Sequence, residues 1–441
     1  MCFICSISML ILFPFCHTSF SLISAPKIDN LTTDHGNTLV LYGATLIDGT
    51  GAKPRPNSVI IIQADRISSI VEKNQYQFIP NADVELINLT GRYIIPGLFD
   101  MHAHVANVRV SSYNQSESIE MLKKLLSWGV TTIRNPGGPT EEAVMLRNMV
   151  NSGQLTGPQI FTAGNLINSM PPTGFVETMV KNELEVRKEV QHQSDIGVDY
   201  VKLYVNLSPN LVKAAIEEAH AQKIKVIGHL FVTSWTEAAI LGINALTHGV
   251  PESPSLLSTD TRQTFFNEYG SPFAHSLWLE LVDLNSNAIK QMIEKLVEKN
   301  IGVDPTLGIF EAILSDDDWN DKNVFLWSKV LNLTKMMYSA GVPITSGSDI
   351  PNFSLEAGAS LHHELELLAE AGIAPLEVIK IATKNSASSL GILDKVGTIE
   401  TGKQADIVIL NKDPTRNISN TRSIETVIED GKLINSSLIR Y

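Results

Sequence analysis

Apolar residues are distributed along this chain in two textures. From Thr38 to Ile95 they form short β-rich runs, Leu39-Val40-Leu41-Tyr42 and Val59-Ile60-Ile61-Ile62. Turn chemistry at Ile47-Asp48-Gly49-Thr50-Gly51 and Ala64-Asp65-Arg66 separates them. The same texture returns after Gly391, in Gly397-Thr398-Ile399, Ala405-Asp406-Ile407-Val408-Ile409-Leu410 and Ile424-Glu425-Thr426-Val427-Ile428. Two β-rich ends around a different middle predict one small β-sandwich domain, assembled from 38–95 plus 394–441.

Between them, from 96 to 393, the pattern alternates. Apolar or β-branched runs recur at 98–104, 130–134, 159–163, 200–205, 225–230, 245–249, 302–307 and 343–348. The intervening segments carry apolar residues at helical spacing, as in 119–126 and 211–219. Several of them stop at a glycine suited to a helix C-cap: Gly129, Gly197, Gly242, Gly341 and Gly372. Eight strand–helix repeats in about 280 residues predict a (β/α)8 TIM barrel of the α/β class. An open doubly wound sheet is the alternative, but no glycine-rich phosphate loop follows an early strand. The segment 251–284 breaks the rhythm after the sixth run. It is long and polar, with five aromatics (Phe265, Phe266, Tyr269, Phe273, Trp278), and is expected to act as a lid or pocket wall.

Length and charge narrow the partners. At 441 residues the chain suits a barrel with an accessory unit, and 44% hydrophobic with 18% charged residues is ordinary for a globular core. A formal charge of −13 without a basic patch argues against nucleic acid and against an anionic membrane surface. Residues 1–25 are a different material. The apolar Met9-Leu10-Ile11-Leu12-Phe13 gives way to Ser24-Ala25-Pro26-Lys27, which reads as a secretory signal peptide too short to span a membrane. No Lys or Arg precedes its apolar core. Cleavage near Ser21 or Ala25 would yield a secreted or periplasmic chain without membrane insertion. All three cysteines, Cys2, Cys5 and Cys16, lie in that segment, so the mature chain would have neither disulfides nor thiol catalysis.

The candidate chemistry begins at Gly91-Arg92-Tyr93-Ile94-Ile95-Pro96-Gly97-Leu98-Phe99-Asp100-Met101-His102-Ala103-His104-Val105. Alternate side chains of a strand share a face, so His102 and His104 project together, near Asp100, as half of a metal site. Two unrelated core histidines would give the same short pattern. Barrels hold reactive groups at the carboxyl ends of strands. Reading those ends adds Lys202, His229, His248 and Asp349, each closing an apolar run. Four histidines, a lysine and an aspartate are not expected there by chance. Tyr204 shares strand parity with Lys202 and so faces the same pocket, either packing there or donating to a developing oxyanion.

This set, with Ile95-Pro96-Gly97-Leu98-Phe99-Asp100-Met101-His102-Ala103-His104 and the stretches 365–377 and 397–406, resembles the amidohydrolase superfamily, in its imidazolonepropionase/prolidase-like branch. The likeness runs from Thr38 to Ile428. It implies two divalent metal ions, zinc first among the candidates, with His102, His104 and Asp349 on one and His229 and His248 on the other. It also implies that Lys202 is carbamylated by CO2 and bridges both, since a plain ammonium cannot ligate a cation. The implied activity is hydrolysis of an amide or peptide bond by attack of a bridging hydroxide, as in a prolidase-like dipeptidase, with Asp349 moving the proton. Hydrolysis of lactones or other ester-like substrates is the alternative, and a non-catalytic binding relative a further one. Mononuclear deaminases of the superfamily lack the bridging lysine. The implied partner is a small molecule or short peptide, and a homo-oligomer is compatible. Asn135 stands where relatives often carry Asp. His192 and His220 are expected on helix surfaces, His275 is a candidate substrate contact, and one of His362 and His363 is expected to face the site.

Overall fold

The computed structural model describes residues 38–77, 83–109, 113–269, 273–315 and 319–434. The expected leader and the three cysteines lie outside these residues. Five strands open the chain: β1 (Thr38–Leu46), β2 (Arg55–Gln63), β3 (Arg66–Glu72), β4 (Val84–Asn88) and β5 (Tyr93–Pro96). Nine more follow in the middle: β6 (Leu98–Asp100), β7 (Val130–Asn135), β8 (Gln159–Thr162), β9 (Leu166–Asn168), β10 (Glu177–Met179), β11 (Tyr200–Leu203), β12 (Lys225–Gly228), β13 (Ala245–Thr247) and β14 (Gly302–Asp304). The chain closes with β15 (Ile407–Leu410), β16 (Ile424–Glu429) and β17 (Lys432–Leu433).

Both ends of the chain meet in one sheet, ordered β17-β16-β15-β5-β1-β2-β3, with β4 parallel to β1. The seam is β15 against β5, antiparallel from Ile407 opposite Pro96 to Leu410 opposite Tyr93. A period of two then divides the side chains of β15 between two cores. Ile407 and Ile409 join Leu39, Leu41, Ile60 and Ile94 in the sheet's own core. Val408 and Leu410 face the other way, into the large core shared with the helices. That order does not by itself show the two layers of the anticipated sandwich. Gly129 ends the turn after the helix Gln115–Ser127 with φ +75°, and a Cβ there would lie 2.8 Å from Val408 Cγ2. Only glycine meets both the backbone angle and the approach to β15.

The middle of the chain is α/β, and every strand pair in its sheets is parallel. One sheet runs β6-β7-β8 and the other β10-β9-β11-β12-β13-β14. Isolated parallel bridges join Ala163 to Tyr200, Val303 to Ile344 and Ala103 to Ile350. The apolar run at 343–348 is therefore not a regular strand. It still bonds both neighbours: Val303 N–H donates to Pro343 O and Thr345 N–H to Val303 O, each at 2.9 Å, while Met101 N–H donates to Ser346 O and Ser346 Oγ to Phe99 O, each at 2.8 Å. Helices lie between the strands, and Gly197, Gly242 and Gly341 cap three of them in the left-handed conformation, as the sequence suggests. The segment 251–284 contains the helices Thr259–Tyr269 and His275–Leu281 rather than an open loop. Phe265 and Trp278 are buried in the main core, whereas Phe273 lines the cavity described below, so the wall is built from only part of the aromatic set. No helix among the described residues is long and apolar enough to cross a membrane.

Candidate metal centre

The site begins where β6 ends. Asp100 is not aimed at a cation. Its carboxylate accepts from His102 N–H (3.1 Å), Ser348 N–H (2.9 Å) and Ser348 Oγ (2.5 Å), stapling the end of β6 to the segment that carries Asp349. Burial pushes the Asp100 carboxyl up to about 6, against those hydrogen bonds. The contact is close enough that a Cβ on Gly347 would lie 2.7 Å from His102 Cβ. The small residues before Asp349 leave that room.

His102, His104 and Asp349 converge, with potential ligand atoms all within 4.8 Å of one another. His102 Nε2 and His104 Nε2 each lie 3.4 Å from Asp349 Oδ1. Their other ring nitrogens are engaged: His102 Nδ1 faces Asp304 Oδ2 at 2.6 Å, and His104 Nδ1 faces Gly137 O at 3.0 Å. Those acceptors fix the tautomer that leaves Nε2 free for a cation. His248 repeats the device, with Nδ1 2.8 Å from Thr306 Oγ1. Its ring centroid lies 4.9 Å from that of His102 and 4.3 Å from that of His229. His229 Nδ1 is buried without a hydrogen-bond partner. Lys202, the penultimate residue of β11, is 2% exposed and donates from Nζ to Thr247 Oγ1 at 2.7 Å. His248 (φ 73°) and Asp349 (φ 59°) both hold left-handed backbone conformations, a strain common where side chains are aimed for chemistry.

Burial sets the charge states. It holds His102, His229 and His248 well below the ordinary histidine range, so they are neutral donors with available lone pairs. Burial also brings Lys202 down to about 7, with the Asp304 charge opposing and Arg134 assisting. For Asp349 burial alone would raise the carboxyl, but His102, His104 and Asn352 together hold it below its usual value. Neutral imidazoles, an ionised carboxylate and an orphaned ring nitrogen suit a divalent cation. His102, His104 and Asp349 could hold one ion, and His229 and His248 a neighbour.

All six residues anticipated at strand ends, with Tyr204, line one cavity of about 510 Å3. Tyr204 packs edge-on against His229 (5.2 Å) and Phe175 (5.9 Å), and burial, then the Asp349 charge, keeps its phenol protonated. His275 also lines the cavity, with Nδ1 beside the buried Glu252 carboxyl, and burial holds the imidazole down to about 4, so it is neutral near pH 7. Neither His362 nor His363 does. His362 is buried between Thr421 Oγ1 (2.8 Å) and Trp128 O (2.9 Å), and His363 bonds Glu311 and Glu366. The hydrogen bond that His363 Nε2 donates to the Glu311 carboxylate lifts His363 to about 9. An unfolded histidine titrates near 6.5, so this contribution is complete below about pH 6.5 and is lost as pH rises through about 9. The pair is partly solvated and contributes no more than about 1 kcal/mol. His363→Gln should therefore lower the melting temperature at about pH 6 and leave it nearly unchanged at about pH 10. Equal losses at both would remove the ion pair from the account.

Sequence reasoning missed Asp304 and the part played by Arg134. Asp304, 1% exposed, takes His102 on one oxygen and Arg134 Nη2 on the other at 2.6 Å, while Arg134 Nε holds Met101 O at 2.9 Å. The signal was present, because Asp304 closes β14 as the other site residues close their runs. Asp304→Asn should weaken metal retention roughly 10-fold, measured by competition with a chromophoric chelator. Unchanged affinity would remove Asp304 from its orienting role.

A model of the amidohydrolase family matches residues 93–434. Imidazolonepropionase of Thermoplasma volcanium is 23% identical over 386 residues, 84% of this chain and 88% of its own length. Ochratoxinase of Aspergillus niger is 22% identical over 471 residues, 91% of this chain and 88% of its own. Among solved structures, a Xaa-Pro dipeptidase with methionine bound in its active site has a TM-score of 0.72 at 22% identity, over 90% of this chain and all of that one. The A. niger ochratoxinase crystal structure has a TM-score of 0.69 at 20% identity, over 91% and 96%. These structural likenesses bear on the fold.

Proposed function

We propose that this chain, which belongs to the amidohydrolase family, is a binuclear metal-dependent hydrolase of an amide bond. One observation carries the reading: four histidines, an ionised aspartate and a lysine brought near 7 by burial converge in one cavity. The three isolated bridges support closing the parallel strands into one (β/α)8 barrel over 96–393, beside a β-domain from 38–95 and 394–441. Export directed by residues 1–25 belongs to the same proposal. Relatives named as a dipeptidase and an imidazolonepropionase support a small substrate with a carbon–nitrogen bond, such as a dipeptide.

His102, His104 and Asp349 would hold one divalent ion, His229 and His248 the second, and carbamylated Lys202 would bridge them. Such a pair, zinc in the first instance, supplies a nucleophile from water at neutral pH and a Lewis acid for the substrate carbonyl. Lys202, neutral in part near pH 7, can add its Nζ lone pair to CO2, releasing a proton and leaving an anionic carbamate. Asp349 accepts the proton of the attacking water on its carboxylate and delivers it to the leaving nitrogen. Tyr204, kept as a phenol, donates to the oxygen that becomes negative as the carbonyl is attacked. A panel of dipeptides, acyl amino acids and lactones, assayed with chelated and metal-reconstituted protein, tests the reading. Amide hydrolysis that disappears on chelation supports it. Hydrolysis confined to lactones would replace it with the ester alternative.

A further inference from the structure

The cavity over the ligand set is apolar at its wall and charged at one point of its rim. Phe175, Phe273, Phe310 and Phe353 surround it. Apart from the histidines and Lys202, Arg109 is the cation among its described lining residues, and Asp349 is the carboxylate. Asp349 is already engaged by His102, His104 and Asn352. Arg109 is not. Its backbone N–H donates to Asn107 Oδ1 at 3.0 Å, but its guanidinium has neither an ion pair nor a hydrogen bond among the described residues.

The backbone fixes where that guanidinium stands. Val176 N–H donates to Val108 O at 2.8 Å, and Arg109 and Phe175 form an antiparallel bridge. Directly opposed residues of such a pair share a face, so Arg109 stands beside the Phe175 ring. Phe175 in turn packs on Tyr204, and Tyr204 on His229. The cation is thus set two aromatic rings away from the ligand set, along the cavity wall. Guanidinium recognises carboxylate through paired, charge-assisted hydrogen bonds, and Arg109, exposed at the rim, is open to such a partner.

We propose that the substrate is an N-acylated amino acid, with its free carboxylate on Arg109 and an apolar acyl group against the phenylalanine wall. The inference rests on the amide-hydrolase reading and narrows it. Water adds to the acyl carbon, the carbon–nitrogen bond breaks, and the nitrogen leaves with a proton as the free amino acid. A dipeptide with a free amino terminus fits less well. Its ammonium would enter a phenylalanine-lined space where the described carboxylate is already engaged, and an unpaired buried charge is costly.

Calorimetry with the zinc-loaded full chain tests this. The probes are N-benzenesulfonyl-phenylalanine, whose sulfonamide resists hydrolysis, and its methyl ester. The acid should bind roughly 10-fold tighter or better, the usual scale for a hydrogen bond to a charged group. Arg109→Ala should erase that preference without changing metal content, and Arg109→Lys should keep part of it. N-benzoyl-phenylalanine should be cleaved with a higher kcat/KM than the Phe-Phe dipeptide. Equal binding of acid and ester, a preference that survives Arg109→Ala, or faster cleavage of the dipeptide would each overturn the proposal. A carboxylate preference with no amide cleaved would instead overturn the hydrolase reading, and the substrate with it, while leaving Arg109 as a carboxylate receptor.

Discussion

Lys202→Ala is expected to abolish hydrolysis, and acetate or propionate to restore part of it. The side chain is buried one residue before the end of β11, with Thr247 Oγ1 as its hydrogen-bond acceptor and the histidine cluster around it. An ammonium there would repel the very ions that the imidazoles and Asp349 are arranged to hold. In the proposed centre Lys202 would supply an anion between the two ligand groups, which the neutral amine can become by adding CO2. Burial brings Lys202 to about 7, so a substantial neutral fraction exists at physiological pH. Alanine would remove the proposed carbamate and leave space that a short carboxylate can fill, so rescue should follow carboxylate size. Turnover measured with and without 10–100 mM-scale carboxylate checks this, and a Lys202→Ala enzyme with near wild-type turnover would take the lysine out of the centre.

Asp349→Asn should keep at least part of the metal while turnover falls by at least ~10²-fold, the lower range for loss of a positioned general base. The amide oxygen can still ligate, and Asn352 Nδ2, 2.8 Å from Asp349 Oδ1, can still orient it. What the amide cannot do is take a proton from water and return it to a leaving nitrogen. Binding and proton transfer are thereby separated in one substitution. Metal content and kcat measured on the same preparation distinguish them. Full turnover with metal retained would move the base elsewhere, and the pair of His275 with Glu252 becomes the next place to look, since His362 and His363 are turned away from the cavity.

Much of this centre was legible in the sequence because a parallel α/β architecture puts one kind of residue in one kind of place. His102, His104, Lys202, His229, His248 and Asp349 each close an apolar run, and in the structure they share a cavity. Asp304 closes a run too, and applying the same rule to β14 would have found it. What the sequence could not show was pairing at a distance. His275 meets Glu252 only because the intervening residues fold into helices, and Arg134 on β7 reaches Asp304 on β14, a strand of the other parallel sheet. β9 and β10 are three residues each, too short to leave a pattern. The run at 343–348 carries strand-like residues, yet it joins β14 by a single isolated bridge, Val303 with Ile344, and Gly347 packs closely on His102. His362 looked available at the start of its helix, but Thr421 from the C-terminal part of the chain claims it.

The most direct test of the metal-centre account is elemental analysis of the purified chain, followed by chelation and reconstitution. The account predicts about two divalent ions per chain, hydrolysis lost on chelation, and activity recovered with zinc or another divalent ion. Protein that purifies without zinc, manganese, cobalt or iron, and is neither loaded nor activated when they are added, would contradict it.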